Sequence, residues 1–230
     1  KLFAYLVLAG VFVYAKHFLR AAGLFKGEFY SLSLFALLGV MIMLSAASML
    51  TVYLGLELLA LSSYALVAFD RDSTSGSEAA MKYFILGSLA SGILLYGMSL
   101  VFGATGSLQL GEISQALAGG ISDNLMLSFG LAFLVVGIAF KLGAVPFHMW
   151  LPDVYQGAPA AVTLLLSSLP KLGYLALAIR LLADGMGNVH ADWQAMLAVL
   201  AALSLILGNV VAIAQSNIKR MLAYSTISHV

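Results

Sequence analysis

The chain has 230 residues, of which 62% are hydrophobic and 9% charged. A soluble domain carries about 25% charged residues, so this composition excludes a soluble fold and indicates a polytopic membrane protein. Eleven basic and ten acidic residues nearly cancel, which argues against a nucleic-acid partner, and the lack of cysteine excludes disulfides, a thiolate nucleophile and a Cys-ligated cluster.

Leu2 to Ala15 reads as the remainder of a truncated spanning helix, followed by a loop, Lys16 to Glu28, carrying Lys16, Arg20 and Lys26. The chain opens at Lys1 already in apolar sequence and stops at His229-Val230 as a new segment starts, so an internal piece of a longer protein is expected. Ser31 to Met49 is an uncharged second span that runs almost directly into a third, Leu50 to Phe69, which requires a tight turn. Asp70 to Gly76 is a polar loop, Ser77 a candidate N-cap, and a fourth span continues to about Phe102. Within the connection Gly103 to Asp123, Leu108 to Leu117 fits a short amphipathic surface helix.

Leu125 to Tyr155 is too long for one straight crossing of a hydrocarbon core about 30 Å thick, which takes about 20 helical residues. A proline and a glycine break this apolar run: Pro146 lacks an amide hydrogen and crowds the preceding turn, so the helix is expected to kink or end near Gly143–Val145. The reading is a discontinuous fifth span, one piece from about 124 to 142 and a second from about 147 to 156. A half-helix that ends in the membrane leaves unpaired carbonyls and a partial negative charge. Lys141 sits in that last turn as the matching cation. Gly157-Ala158-Pro159 is a turn, Ala160 to Leu182 the sixth span, Asp184 to Asp192 a loop, Trp193 to Ala214 the seventh span, and Ser216 to Arg220 a turn before an eighth.

Loop charge orients these spans. Lys16, Arg20, Lys26, Arg71, Lys82, Lys219 and Arg220 fall on one side, whereas the loops 103–123 and 184–192 hold Glu112, Asp123, Asp184 and Asp192 without lysine or arginine. The positive-inside rule makes the first side cytoplasmic, and alternation then holds across all seven spans. Arg180 is the exception, and snorkelling from the end of the sixth span is expected to account for it.

Three charged residues, Glu57, Lys141 and Lys171, lie deep within the membrane and need an explanation, since each costs about 2.5–3.5 kcal/mol at mid-membrane depth. Glu57 is the one charge of the third span, roughly 11 Å deep at 1.5 Å per residue, with Tyr53 and Tyr64 on neighbouring turns. Lys171 is near the middle of the sixth span, on a polar stripe with Thr163, Ser167 and Tyr174. Lys141 follows Gly137 and Leu134, a thin face that admits another helix. The plainer reading has Glu57 paired with one lysine to pin two helices, which leaves a second lysine over. The functional reading is a proton relay through Glu57, Lys141 and Lys171, in which an acidic neighbour sets when each amine is charged. His148 is either a proton carrier to bulk water or a capping residue of the second half-helix. Trp150, Asp153 and Tyr155 read as surface anchors and His190 as an exposed loop residue. No phosphate-binding loop, paired-histidine metal spacing, serine elbow or haem or iron–sulfur ligand set is present, so the chain offers no cofactor site, no metal site and no redox chemistry of its own.

The run Lys141-Leu142-Gly143-Ala144-Val145-Pro146-Phe147-His148-Met149-Trp150-Leu151-Pro152-Asp153, continuing to Pro159, resembles the antiporter-like proton-pumping membrane subunits of respiratory complex I. That family is related to the large subunits of sodium/proton antiporters. Glu57, the stretch Ala79 to Phe84 and the stretch Asn217 to His229 fit it too, and detail favours the N-type branch of bacteria over the L and M types. The resemblance implies an all-α, inverted-repeat bundle in which residues 1–30 are a truncated helix and cytoplasmic loop. It makes 31–183 a first five-helix repeat and 184–230 the start of a second. It maps the family's glutamate to Glu57, its broken-helix lysine to Lys141 and its following-helix lysine to Lys171. It implies protons as cargo, other complex I membrane subunits and the lipid bilayer as partners, and a bacterial inner membrane as location. A sodium/proton antiporter subunit and a non-conducting membrane scaffold are the rival readings.

Overall fold

In lipid a backbone amide finds no water, so an apolar run must satisfy its own hydrogen bonds, and helices result. The computed structural model describes residues 1–120 and 125–230; Asp123 and position 124 of the expected half-helix lie outside them. The described residues form α1 (Leu2–Ala21), α2 (Gly27–Ser45), α3 (Met49–Val67), α4 (Thr74–Thr105), α5 (Leu110–Ala118), α6 (Leu125–Leu142), α7 (Trp150–Gly157), α8 (Ala160–Ala178), α9 (His190–Ile213) and α10 (Ile218–Ser228). α8 runs on through π-type turns over Ile179–Gly185. Seven of these helices are long and apolar enough to cross a membrane, and the chain is an all-α multi-pass membrane protein.

The expected spans are present, with longer ends. α1 continues to Ala21, so Lys16 and Arg20 lie on its last turns rather than in a loop, and α4 begins at Thr74. Its cap is Ser73, not Ser77: the Ser73 hydroxyl accepts a hydrogen bond from the Gly76 amide at 3.1 Å. The tight turn between α2 and α3 is tied to the start of α5, since Met49 N donates to Leu108 O and Leu110 N to Ala47 O, each at 2.9 Å. α5 buries Leu110, Ile113 and Leu117, the apolar stripe expected of a surface helix.

Helices approach closely where side chains are small. α2 and α3 meet at Gly39 and Gly55: a Cβ on Gly39 would lie 2.5 Å from Gly55 O. α4 and α6 meet at Gly97, Gly130 and Gly137, the last against Leu94. The outward faces carry Leu34, Leu54, Leu61, Phe84, Phe129 and Ile206, each more than 40% exposed and chemically suited to lipid tails. One end of the bundle gathers Glu78, Lys82, Asp153, Gln156, Lys219 and Arg220, and the other gathers α5 with the Asn188–Ser114 and Arg180–Asp184 contacts.

Candidate functional site: a broken helix with two buried amines

α6 ends by a glycine rather than by the proline. Gly143 has φ +84°, Ala144 N donates to Ala139 O at 2.9 Å and Gly143 N to Phe140 O at 3.0 Å, which is the left-handed stop of a Schellman motif. Pro146, joined to Val145 by a cis peptide bond, lies in the connection to α7 and keeps it from resuming the helix. The freed backbone groups are met by other elements, as a break at membrane depth requires. Trp150 Nε1 donates to Phe140 O at 3.0 Å, and the Val145 amide donates to Ser204 Oγ of α9 at 2.9 Å. Lys171 Nζ of α8 donates to Leu142 O, the terminal carbonyl of the half-helix.

The cation at the end of α6 is therefore Lys171 and not, as the sequence suggested, Lys141. Lys141 turns away from its own helix end into α4, where Nζ donates to Ser91 Oγ at 2.8 Å and to Gly87 O at 3.5 Å. It is 3% exposed. Glu57 faces it electrostatically from α3, yet no ion pair joins Glu57 to either lysine among the described residues, and Glu57 Oε1 is buried without a hydrogen-bond partner there. A static Glu–Lys pin between helices is thus not what this structure contains.

Lys171 borders a cleft of about 750 Å³ whose walls include Thr163, Ser167, Tyr155, Lys219, Thr226 and His229. Thr163, Ser167 and Lys171 of the expected stripe line it, whereas Tyr174 turns into the protein and is 2% exposed. His148 is no side-chain cap of α7: Nδ1 is buried without a partner among the described residues, and the ring lies edge-on to Tyr224 with centroids 6.2 Å apart.

Three further expectations are corrected. Trp150 and Tyr155 are not surface anchors, being 4% and 3% exposed, and Trp150 stacks between Tyr83 and Phe140. Asp153 is a junction, with Oδ2 2.9 Å from Lys82 Nζ and Oδ1 2.6 Å from Arg220. Burial alone would raise the Asp153 carboxyl, but hydrogen bonds and charge from those two cations outweigh it and hold it below the usual carboxylate range. Arg180 reaches toward the outer end of its span, where it pairs with Asp184 and donates to Leu44 O, the C-terminal turn of α2, each at 2.9 Å. His190 is exposed but opens α9 instead of lying in a loop. Ser91, Ser204 and the Lys82–Asp153–Arg220 junction went unnoticed in the sequence. Only Gly87 and Ser91, a small residue and a hydroxyl four apart on one face of α4, carried a signal.

A bundle of apolar helices, one of them interrupted beside a buried lysine that faces a glutamate on a neighbouring helix, defines an antiporter-like membrane protein. The chain belongs to the NADH:quinone oxidoreductase/Mrp antiporter transmembrane family, whose model matches residues 46–230. It is 62% identical to the NADH-quinone oxidoreductase subunit N of Thioalkalivibrio sulfidiphilus over all of this chain and 48% of the relative, and 59% identical to that of Thiobacillus denitrificans, of which it covers 47%. It thus spans about half the length of the curated relatives it matches. Among solved structures, respiratory complex I of Thermus thermophilus holds a chain 40% identical, with a TM-score of 0.76 over 89% of this chain and 43% of that one. The Mrp complex of a Dietzia species holds one 26% identical, with a TM-score of 0.76 over 86% of this chain and 36% of the other.

Proposed function

We propose that the chain is part of a proton-translocating membrane subunit of an NADH–quinone oxidoreductase, resident with other membrane subunits in a bacterial inner membrane. It would act without a cofactor of its own, driven by electron transfer in its partners. Residues 31–183 serve as the first five-helix repeat of the antiporter-like fold, after the 1–30 segment, and 184–230 open the second. Glu57, Lys141 and Lys171 carry the proton, with His148 as a further carrier beside the break. The observation that carries this reading is the position of Lys141: a buried amine at a helix break, held by a hydroxyl and a carbonyl, and facing a glutamate to which it is not bonded.

The reading requires two arrangements of the lysine. When the ammonium rests on Ser91 and Gly87, their dipoles hold it and Glu57 acts only through its field. When Glu57 draws it across, the carboxylate holds it, and the difference decides whether a proton is kept or passed on. The Lys171 contact with Leu142 O links the second amine to the same helix end, so a shift of α6 moves both. Because two like charges repel, a proton on one amine favours its loss from the other.

The test uses Glu57→Ala and Lys141→Ala in the full-length subunit, with proton pumping measured against NADH oxidation in membrane vesicles and assembly checked on native gels. Each variant should lower pumping by roughly a hundredfold or more, the usual scale for losing a proton-transfer group, with assembly intact. Normal pumping in both would rule the relay out. The likeness to the Mrp complex chain supports a second reading, a sodium/proton antiporter subunit. Sodium dependence of transport in the same vesicles would favour it.

A further inference from the structure

Apart from the charged residues, four tyrosines from four helices meet inside the bundle. Tyr64 of α3, Tyr83 of α4, Tyr155 of α7 and Tyr174 of α8 are 7%, 3%, 3% and 2% exposed. The Tyr64 and Tyr83 rings pack edge to face with centroids 4.7 Å apart. The Tyr83 phenol interacts with the side chains of Ser63 and Tyr174, and Tyr155 lies within its field. At one end of the cluster Tyr64 is seven residues after Glu57, on the same helix face, and interacts with it electrostatically. The Tyr64 hydroxyl presses against Gly87, whose carbonyl accepts from Lys141 and whose missing side chain makes the space. At the other end Tyr155 lines the cleft that holds Lys171.

Packing does not explain the hydroxyls. Phenylalanine would fill nearly the same volume, while a buried hydroxyl left without a partner costs about 1–3 kcal/mol. Tyr64 Oη and Tyr155 Oη are both buried and lack a hydrogen-bond partner among the described residues, as does Glu57 Oε1. Four phenols, with the Ser63 hydroxyl beside them, are strung between the carboxylate and the lysine cleft and have the composition of a proton wire.

We propose that the hydroxyls of Tyr155, Tyr174, Tyr83 and Tyr64 carry protons between the Lys171 cleft and Glu57. Each hydroxyl accepts a proton on a lone pair and releases its own to the next group, Tyr83 and Tyr174 directly and the unpartnered Tyr64 and Tyr155 through a bridging water, so every phenol ends neutral and no electron is exchanged. The hydroxyl chain rests on the Glu57–Lys141 relay and joins that relay to the Lys171 cleft.

The decisive variants are Tyr83→Phe at the junction of the cluster and Tyr64→Phe at its Glu57 end, since both keep the ring and remove only the hydroxyl. They are made in the full-length subunit in its native membrane, with Lys141→Ala as the reference. Protons moved per NADH oxidised, and the slowing of pumping in D₂O relative to H₂O, are measured. Tyr83→Phe and Tyr64→Phe should each lower pumping by about tenfold, less than the loss of a whole acid–base group, and should enlarge the isotope effect. A purely structural role would leave that isotope effect unmoved. If Tyr83→Phe fails to assemble, Tyr64→Phe decides, because its hydroxyl bonds nothing that holds the fold together. If Lys141→Ala blocks pumping while both tyrosine variants pump at full rate with an ordinary isotope effect, the cluster is packing and the relay stands without it. If Lys141→Ala itself pumps normally, relay and hydroxyl chain fall together.

Discussion

Lys141 and Lys171 are both amines placed by carbonyl and hydroxyl dipoles, and neither has a counter-ion within ion-pair distance among the described residues. Glu57 therefore acts on Lys141 through its field, which needs the negative charge more than the reach of the side chain. Glu57→Asp, which shortens the arm and keeps the charge, should retain more proton pumping than Glu57→Gln, which keeps the shape and loses it. Equal losses in the two variants would show that geometry and not charge matters at this position. These three residues were legible in the sequence because a charge in a long apolar run is rare and costly, which marks it whatever it touches. Their partners were not. Leu142 O is 29 residues from Lys171 and Ser91 is 50 from Lys141, so only the packing of α4 and α8 against α6 brings them together.

The broken helix shows what sequence reading recovers at the level of an element. A break near 143–145 followed from length and from a proline and a glycine together, and it is Gly143, whose left-handed backbone closes α6 before Pro146 is reached, that ends the helix. Glycine at a helix end and proline just beyond commonly occur together, so the two signals point to one place. The second half-helix, α7, is only eight residues long and would not hold its place alone. Asp153 ties it to α4 through Lys82 and to α10 through Arg220, and Lys219 donates to Ala158 O at 2.8 Å just past its end. Asp153→Asn should lower the thermal stability of the solubilised protein by roughly 1 kcal/mol, a modest figure because both ion pairs are partly exposed. The sign of its pH dependence follows from the depressed carboxyl. The contribution is complete above the ordinary value of 3.8, declines as pH falls below it, and is gone once pH passes the lower folded-state value. Thermal melts of the two proteins should differ at neutral pH and converge in acid; a constant gap would mean the junction is not electrostatic.

Across the whole molecule, the number and order of spans could be read from runs of about 20 apolar residues, since the bilayer sets that length. Where each helix stops could not, because caps such as Ser73 and glycines such as Gly143 act through backbone geometry that several nearby residues could supply equally well. Which helices touch was visible only in part: Gly137 announced a close approach, but that α4 would fill it depended on the folded arrangement. α4 is also the outsized member, with 32 residues, and its length of about 48 Å exceeds a hydrocarbon core of about 30 Å. Its first turns carry Glu78 and Lys82 at the polar end of the bundle, and the apolar remainder is a rod that answers a thinner or thicker bilayer by a change of tilt within what its packing allows. Ser91 and Gly87 ride on that rod, so lipid thickness becomes a mechanical input to the amine they cradle. Reconstitution into bilayers of increasing acyl length should give a coupling ratio that peaks at one thickness and drops on either side; a flat profile would mean that the tilt is locked by neighbouring subunits.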